Sequence, residues 1–283
     1  MSLKRVIGSL FLAVASIFPC VVACQSSPSA PVVASGAACK DEPFTYDQSG
    51  QNKWCGECNN PDAKTQAPIN IIRRKAKPNG SLPVLGFSGY KSAKLVTVKN
   101  EHNLKVSYKD EQSFLNIDGK PKPFKLDEFH FHRPGEEKID GEPPAMVIHL
   151  VHNSVQPVVP GGAIAIAIMV EPGQPEPNTE ALVNKLIQYF PPPDGRQGGS
   201  PGVDINVADL LPKGSFRRNH SYYTYTGSLT TPGCDGPLTF YVLKTPVIFS
   251  SEQIKKFEER YKLPNARNIQ PTNGRPVEQT TTK

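Results

Sequence analysis

Short segments in which apolar and polar residues alternate recur along the chain, and this pattern restricts its fold more than any other feature. The alternation predicts strands at residues 94–100, 104–109, 113–117, 128–132, 146–152 and 238–243. Residues 163–170 (AIAIAIMV) are apolar almost throughout, which predicts a central, buried strand. Helical spacing appears at 179–189 and 252–261, and residues 190–203 are rich in turn-forming residues.

The 283 residues contain no internal repeat and no interior linker. We therefore predict a mostly β (α+β) fold, a single domain around a large, mainly antiparallel central sheet with peripheral short helices. The net charge of +6 is spread along the chain, and no basic run with interleaved aromatic residues predicts a nucleic-acid partner. Beyond residue 24, no apolar stretch reaches the ~20 residues that span a bilayer.

The N-terminus has the pattern of a targeting segment. Lys4 and Arg5 precede an apolar stretch at 6–18, which predicts a signal peptide over residues 1–24. The sequence VVAC, ending at Cys24, resembles the lipobox of bacterial lipoproteins, in which that cysteine is acylated. Residues 25–38 are rich in Ser, Pro and Ala and predict a flexible tether before a catalytic domain at 39–283.

The alternative is a plain signal peptide that is removed together with Cys24. In either case we expect export, to the periplasm or the cell surface or outer membrane as a lipoprotein, or into the medium. The lipid would be the only contact with a membrane, and the sequence predicts no oligomeric state.

Export has a consequence for the cysteines, because disulfides form in oxidising compartments. Beyond the targeting segment four cysteines remain, at Cys39, Cys55, Cys58 and Cys234. We predict two disulfides, for which three connectivities exist. The pair Cys55-x-x-Cys58 could instead be half of a zinc site or a redox pair. No second such pair and no thioredoxin-like pattern accompanies it, so disulfides are favoured.

Three histidines are placed to form one metal-binding face. His130 and His132 lie at i and i+2 of a predicted strand and point to the same side, whereas Phe129 and Phe131 point to the other. The strand at 146–152 adds His149 and His152. Hydrogen-bonded core histidines are the simpler alternative for each. Three imidazoles with an open fourth position are typical of catalytic zinc, so we predict Zn²⁺ as the cofactor.

Several motifs together resemble the α-class carbonic anhydrases. They are FHFHRPGEE at 129–137, IDG at 139–141, HLVHN at 149–153, QAPINI at 66–71, YTGSLTTP at 225–232 and NGRP at 273–276. The resemblance covers roughly residues 39–277, in the family's order. It implies a zinc lyase (carbonate dehydratase) that interconverts carbon dioxide with bicarbonate and a proton, and therefore a small-molecule substrate.

The resemblance also implies roles for individual residues. His130, His132 and His149 match the zinc ligands, and His152 matches a neighbouring histidine that is not a ligand. Thr230 matches the threonine that orients the attacking hydroxide, Glu136 the glutamate that accepts its proton, and His102 the proton shuttle. The cavity would be lined by Thr231 at the substrate mouth, Val151 and Leu229 on the apolar wall, and Tyr46, Asn100 and Lys105 on the polar side.

The positions that hold the ligand imidazoles depart from the family pattern. Glu128 stands where the family has Gln, and Val147 where it has Glu two residues before the third ligand. Either the negative charge has moved from one ligand to another, or the pattern has drifted and zinc retention is weaker. Glu137 replaces a frequent His and Phe240 a frequent Trp, from which we expect little change. We expect Asn273 and Arg275, in the closing motif, to lie with Glu128 among the residues that surround and hold the ligand imidazoles.

The family's secreted members imply a disulfide between Cys58 and Cys234. Cys55 is the alternative partner, and Cys39 would pair with the cysteine left over.

The competing function is a catalytically weak or silent carbonic-anhydrase-like binding module, but such relatives lose ligand histidines and this chain keeps all three. A zinc peptidase lacks support because the chain has no His-Glu-x-x-His helix.

Overall fold

The computed structural model describes residues 44–90, 93–100, 104–109, 113–118, 120–155, 162–191, 202–212, 221–260 and 264–281. The predicted signal peptide and tether, Cys24, Cys39, His102 and most of the turn-rich loop at 190–203 lie outside the described residues.

Within this part of the chain, β-strands dominate. The strands are β1 (Asn70–Ile71), β2 (Lys77–Asn79), β3 (Leu85–Ser88), β4 (Ala93–Asn100), β5 (Leu104–Lys109), β6 (Phe114–Ile117), β7 (Lys120–His132), β8 (Lys138–Ile139), β9 (Met146–Ser154), β10 (Ala163–Pro172), β11 (Asp204–Ile205), β12 (Tyr222–Gly227), β13 (Leu238–Phe249) and β14 (Glu278–Thr280). The α-helices are α1 (Gln48–Gln51), α2 (Pro177–Gln188) and α3 (Ser251–Arg260). None of these described helices has the length and apolar character needed to cross a membrane.

Twelve of these strands form one sheet, in which the order β11-β4-β5-β7-β9-β10-β13-β12-β14-β2 is extended by β6, paired with β7, and β3, paired with β6. The prediction of a mostly β fold with few helices is confirmed. Most pairs are antiparallel, but β10 pairs in parallel with β13 near the middle and β14 pairs in parallel with β2, so the sheet is mixed. Alternation within a strand carries no information about the direction of its neighbour, which is why the parallel pairs were not predicted.

The two faces of the sheet have different roles. On β9, Met146, Ile148 and Leu150 belong to the main apolar core, whereas Val147 belongs to a smaller cluster on the opposite face. Leu182, Val183 and Leu186 of α2 and Phe257 of α3 pack into the main core. Because α2 and α3 cover the face of the main core, the opposite face is left for the ligand histidines of β7 and β9.

Proline is tolerated at the first position of α2 because the amide there has no intrahelical partner.

Candidate active site

Strand register brings three imidazoles together. His130 and His132 lie two residues apart on β7 and therefore share a face, and His130 is directly opposite His149 of β9. The ring centroids are 4.9 Å apart for His130 and His132, 5.3 Å for His130 and His149, and 5.1 Å for His132 and His149. One ring nitrogen from each lies within 4.8 Å of the others.

Each imidazole uses its other ring nitrogen for a hydrogen bond that points away from this cluster. The contacts are His130 Nδ1 with both Glu128 carboxylate oxygens at 3.0 Å, His132 Nδ1 with the Asn265 carbonyl at 2.6 Å, and His149 Nε2 with Glu137 Oε2 at 3.2 Å. An acceptor at the outer nitrogen holds the N–H there, which leaves the lone pair of the inner nitrogen facing the cluster. The inner atoms are Nε2 of His130, Nε2 of His132 and Nδ1 of His149.

These residues fit zinc. His132 Nε2 is buried and has no hydrogen-bond partner among the described residues, although Glu136 Oε2 lies 3.4 Å away. An unpartnered buried nitrogen is costly unless a metal takes its lone pair. Burial holds the pKa of His132 well below its usual range, and the neighbouring imidazoles act in the same direction. His132 is therefore neutral, as a zinc ligand must be.

The acids beside the histidines remain ionised although they are buried. Burial raises the pKa of Glu128, but His130 and Lys105 outweigh it and the pKa is lowered overall. Burial likewise raises the pKa of Glu137, and the contact with His149 turns the shift downward. In return, burial lowers the pKa of His149 but Glu137 raises it, so the net shift is upward. Each carboxylate is thus paired with the imidazole that it holds.

Thr230 and Glu136 form a second connected pair next to the histidines. Glu136 is buried, and its Oε1 accepts a 2.9 Å hydrogen bond from the backbone N–H of Arg267. Burial raises the pKa of Glu136 to about 7, while the hydrogen bond from the Thr230 hydroxyl acts in the opposite direction. Thr230 lies in a loop that is closed by a 2.8 Å hydrogen bond from the Leu229 amide to the Asp235 carbonyl.

The predicted cavity residues that the structure describes lie on, or next to, the strands and loops of this arrangement. Val151 follows His149 by two residues on β9 and is half-buried, as are Leu229 and Thr231 on either side of Thr230. The Tyr46 ring meets the His132 ring edge-on at 6.3 Å. On the polar side, Lys105 Nζ lies 3.9 Å from Glu128 Oε1. Asn100 ends β4, whose last pair joins it to Leu104.

Two predicted positions lie elsewhere. Asn273 and Arg275 were expected among the residues that hold the ligand imidazoles, but they lie further out. The Asn273 side chain donates to the Lys64 carbonyl at 3.4 Å, and the Arg275 guanidinium donates to backbone carbonyls, including those of Thr226 and Gln66. The expectation rested on the NGRP motif, whose residue types do not specify where it lies relative to the ligands.

His152 lies on the other face of the sheet, as its odd spacing from His149 requires. It contacts the Tyr90 hydroxyl there, and burial lowers its pKa to about 3. His152 is therefore a neutral core histidine and not part of the metal-binding cluster.

Sequence reasoning missed three partners of the site. Glu137 was noted only as a replacement for His, yet it contacts His149. Asn265 and Arg267 contribute a backbone carbonyl and a backbone N–H, which leave no signal in the residue type. A signal for Glu137 did exist, because an acid is missing at Val147 and an extra one appears in the preceding loop.

A disulfide joins the segment before β1 to the loop that carries Thr230. Cys58 and Cys234 are bonded across a separation of 176 residues. Cys55 is disulfide-bonded as well, and the predicted pairing of Cys39 lies outside the described residues. Gly56 and Gly233 form a parallel bridge beside the Cys58–Cys234 bond. A Cβ on Gly56 would lie 2.7 Å from the Gly233 carbonyl oxygen, so the two loops approach closely only because these residues are glycine.

Comparison with known proteins agrees with this geometry. A family model described as eukaryotic-type carbonic anhydrase matches residues 49–281. The carbonic anhydrase of Klebsiella pneumoniae is 32% identical over 240 residues, which cover 83% of this chain and 89% of that protein. The carbonic anhydrase of Neisseria gonorrhoeae is 31% identical over 216 residues, covering 76% and 77%.

A solved structure of α-carbonic anhydrase from Thermovibrio ammonificans, in complex with the inhibitor sulfanilamide, superimposes with a TM-score of 0.66. It is 30% identical and covers 78% of this chain and 89% of its own. The match to the family model, at residues 49–281, spans the strands and loops that carry the three histidines, Thr230 and Glu136. The chain therefore belongs to the eukaryotic-type (α-class) carbonic anhydrase family, the zinc enzymes that interconvert carbon dioxide and bicarbonate.

Proposed function

We propose that His130, His132 and His149 hold the catalytic Zn²⁺ of this carbonic anhydrase. One observation carries the assignment: each of the three outer ring nitrogens has a hydrogen-bond acceptor, so that three inner nitrogens converge. Bound zinc supplies a Lewis acid that generates hydroxide from water near neutral pH, the chemistry for which carbonic anhydrases are themselves the reference example. A fourth protein ligand would close the site, and no further His, Cys, Asp or Glu belongs to this cluster among the described residues.

Thr230 and Glu136 orient the attacking group in this proposal. The Thr230 hydroxyl donates its hydrogen bond to the Glu136 carboxylate, so the threonine oxygen can only accept a hydrogen bond from the nucleophile. This directs the nucleophile's lone pair toward the apolar wall formed by Val151 and Leu229, where carbon dioxide would lie. Thr231 stands at the mouth of the same cavity. Alignment of this kind lowers the barrier because no solvent has to reorganise.

We further propose that His102 carries the proton between the site and bulk buffer. It lies outside the described residues, in the connection between β4 and β5. Lys105, the second residue of β5, pairs with His130 of β7, so the strand that follows this connection lies beside the strand that carries two of the proposed ligands. A histidine with a pKa near ~6.5 can accept and release protons at neutral pH.

The chain is proposed to act outside the cytoplasm, anchored by an acylated Cys24 and a tether at 25–38. The disulfide between Cys58 and Cys234 supports export, because such bonds persist in oxidising compartments. The short segment VVAC supports the lipid anchor.

The assignment of ligands is tested by measuring bound zinc and carbon dioxide hydration in the purified protein. We expect one zinc per chain, and we expect His149→Ala to lose both the zinc and nearly all activity. His152→Gln is the matched control, because it changes a histidine of the same strand on the opposite face and should keep its zinc. Full zinc occupancy in His149→Ala would show that the ligand set is wrong.

A further inference from the structure

The acid that holds the third imidazole comes from an unexpected part of the chain. On β7, Glu128 precedes His130 by two residues and bonds to its outer nitrogen from the same strand face. The corresponding position on β9, two residues before His149, is Val147, which is fully buried in an apolar cluster. Glu137, in the loop between β7 and β8, bonds to the outer nitrogen of His149 instead, at 3.2 Å.

Glu137 is built into this position. Its side chain is fully buried, and its second oxygen accepts a 3.3 Å hydrogen bond from the Tyr225 hydroxyl. The Tyr225 ring stacks on Phe240 with a centroid separation of 4.9 Å, and Phe240 in turn meets the His149 ring at 5.9 Å. A buried carboxylate without partners is strongly unfavourable, and here both of its oxygens are engaged.

The backbone on both sides of Glu137 is fixed as well. The next residue, Lys138, begins β8, which pairs with β1, and its amide donates to the Ile69 carbonyl at 3.2 Å. On the preceding side, the Gly135 amide donates to the Pro144 carbonyl at 3.0 Å. The loop therefore presents the carboxylate in one position, as a group that orients a metal ligand must be presented.

We propose that Glu137 is the positioning residue that aims His149 at the metal and replaces the carboxylate that Val147 does not supply. The proposal rests on His149 being a zinc ligand. By accepting the Nε2–H, Glu137 fixes the tautomer in which Nδ1 carries the lone pair and holds the ring in its orientation. The negative charge has moved from the strand to the loop, so the substitution at 147 does not imply weak zinc retention.

The first test removes the carboxylate. Glu137→Gln keeps the shape, and Glu137→Ala removes the group. Zinc release is followed by mixing the zinc-loaded protein with a chromogenic chelator. Loss of a group that orients a ligand typically weakens metal binding 10- to 100-fold, so we expect release from Glu137→Ala to accelerate by about that factor and from Glu137→Gln by less. Glu142→Gln, which makes the same change at an exposed side chain nearby, should release zinc at the wild-type rate.

The second test moves the carboxylate back to the strand. Because Glu128 reaches His130 from two residues upstream, an acid at position 147 should reach His149 in the same way. We expect the double variant Glu137→Gln with Val147→Glu to release zinc within about threefold of the wild-type rate, and more slowly than Glu137→Gln alone. If this variant does not fold, the zinc-release rate of Glu137→Gln, which preserves the volume of the side chain, serves as the test, and we expect it to exceed the wild-type rate.

The outcomes separate this inference from the proposed ligand set. Wild-type zinc release from folded Glu137→Ala would overturn the inference, while zinc loss in His149→Ala would still support the ligand set. Zinc retained by His149→Ala would overturn both. A purely structural role predicts that Glu137→Ala lowers the unfolding temperature of the zinc-free protein as much as that of the zinc-loaded protein. Our inference predicts that the larger drop occurs in the zinc-loaded protein, and an equal drop would overturn it.

Discussion

At the scale of single residues, the site is defined by three buried carboxylates around three imidazoles. Glu128, Glu136 and Glu137 are exposed by 6%, 1% and 0%. Buried charges of one sign repel one another and favour neutral or unfolded states unless counter-charges are present. Each acid has a hydrogen-bond donor, and a divalent cation at the imidazoles would offset the remaining charge. We therefore expect the folded protein to be more stable with the metal bound at the imidazoles than without it.

A prediction at this scale concerns Thr230. Thr230→Ala removes the hydroxyl that donates to Glu136 but leaves the three imidazoles in place. We expect kcat/KM for carbon dioxide hydration to fall about 100-fold, the loss seen when one preorganised hydrogen bond is removed from a reacting group. Zinc content should not change. Thr226→Ala is the matched control, because Thr226 is an exposed threonine in β12, the strand that precedes the loop of Thr230. Unchanged activity in Thr230→Ala would contradict its orienting role.

A second prediction concerns the pH dependence of stability through His152. Its pKa is about 3 in the folded protein and near 6.5 when unfolded. Below pH 6.5 the unfolded chain therefore binds a proton that the folded chain does not, and stability falls as pH falls. Between pH 7 and pH 5 the loss should be about 2 kcal/mol. Urea denaturation of the zinc-free protein at both pH values should show a smaller loss in His152→Gln than in the wild type. Equal losses in both proteins would show that His152 is charged in the folded state.

At the scale of the elements, the antiparallel register of β7 and β9 does most to build the site. One pair, His130 opposite His149, places two of the three ligands, and the i, i+2 spacing on β7 adds His132. A shift of this register by one residue would turn His149 to the main core. The register is set by the apolar residues of the other face, so the packing of the core positions the metal site.

Much of this could be predicted from the sequence, and what could not has a physical reason. The alternation in β5 and β9 was visible because one face of each is apolar. β12 showed no alternation, since all of its residues except Thr226 are buried. The contacts of Glu137 with His149 and of Asn265 with His132 join residues whose proximity depends on the complete sheet. Residue type and local spacing therefore predict the metal ligands and Glu128, which orients His130 from the same strand, but not the orienting contacts of Glu137 and Asn265.

The disulfide makes a prediction for the loop that carries Thr230. Cys58–Cys234 closes a loop of 176 residues, for which the chain-entropy model gives a stabilisation of about 5 kcal/mol. We expect Cys58→Ser with Cys234→Ser to lower the free energy of unfolding by several kcal/mol, measured by urea denaturation. The reduced wild type should lose at least as much stability. If the oxidised protein and the double variant were equally stable, the bond would not constrain the unfolded chain.

The connection between β4 and β5 makes a prediction about proton transfer. His102→Ala should lower maximal turnover in weak buffer while zinc content stays unchanged, because the proton exit slows but carbon dioxide addition does not. Imidazole added as a small buffer should restore turnover, since it can carry the proton instead. Stopped-flow hydration assays at low and high buffer concentration measure both effects. Normal turnover of the variant in weak buffer would point to another carrier, such as Glu101.

At the scale of the whole molecule, the two faces of the sheet carry different groups. One face packs against α2 and α3 in the main core, and the other carries the imidazoles and their acids. The proposed lipid anchor at Cys24 and the proposed tether at 25–38 both precede these elements in sequence. A flexible chain of 14 residues, the length of that tether, has an average end-to-end distance of about 20 Å.

This arrangement predicts that anchoring and catalysis are independent. Cys24→Ser should move the enzyme from the membrane fraction to the soluble fraction and leave kcat/KM unchanged, because Cys24 precedes in sequence every residue that we assign to the active site. Cys20→Ser, the same change four residues earlier, should leave the enzyme in the membrane fraction. Mass spectrometry of the wild-type N-terminus should find an acylated Cys24, with a lipid mass that detergent extraction does not remove. An unmodified N-terminus further along the chain, for example near Ala37, would instead identify a plain signal peptide and a freely diffusing enzyme.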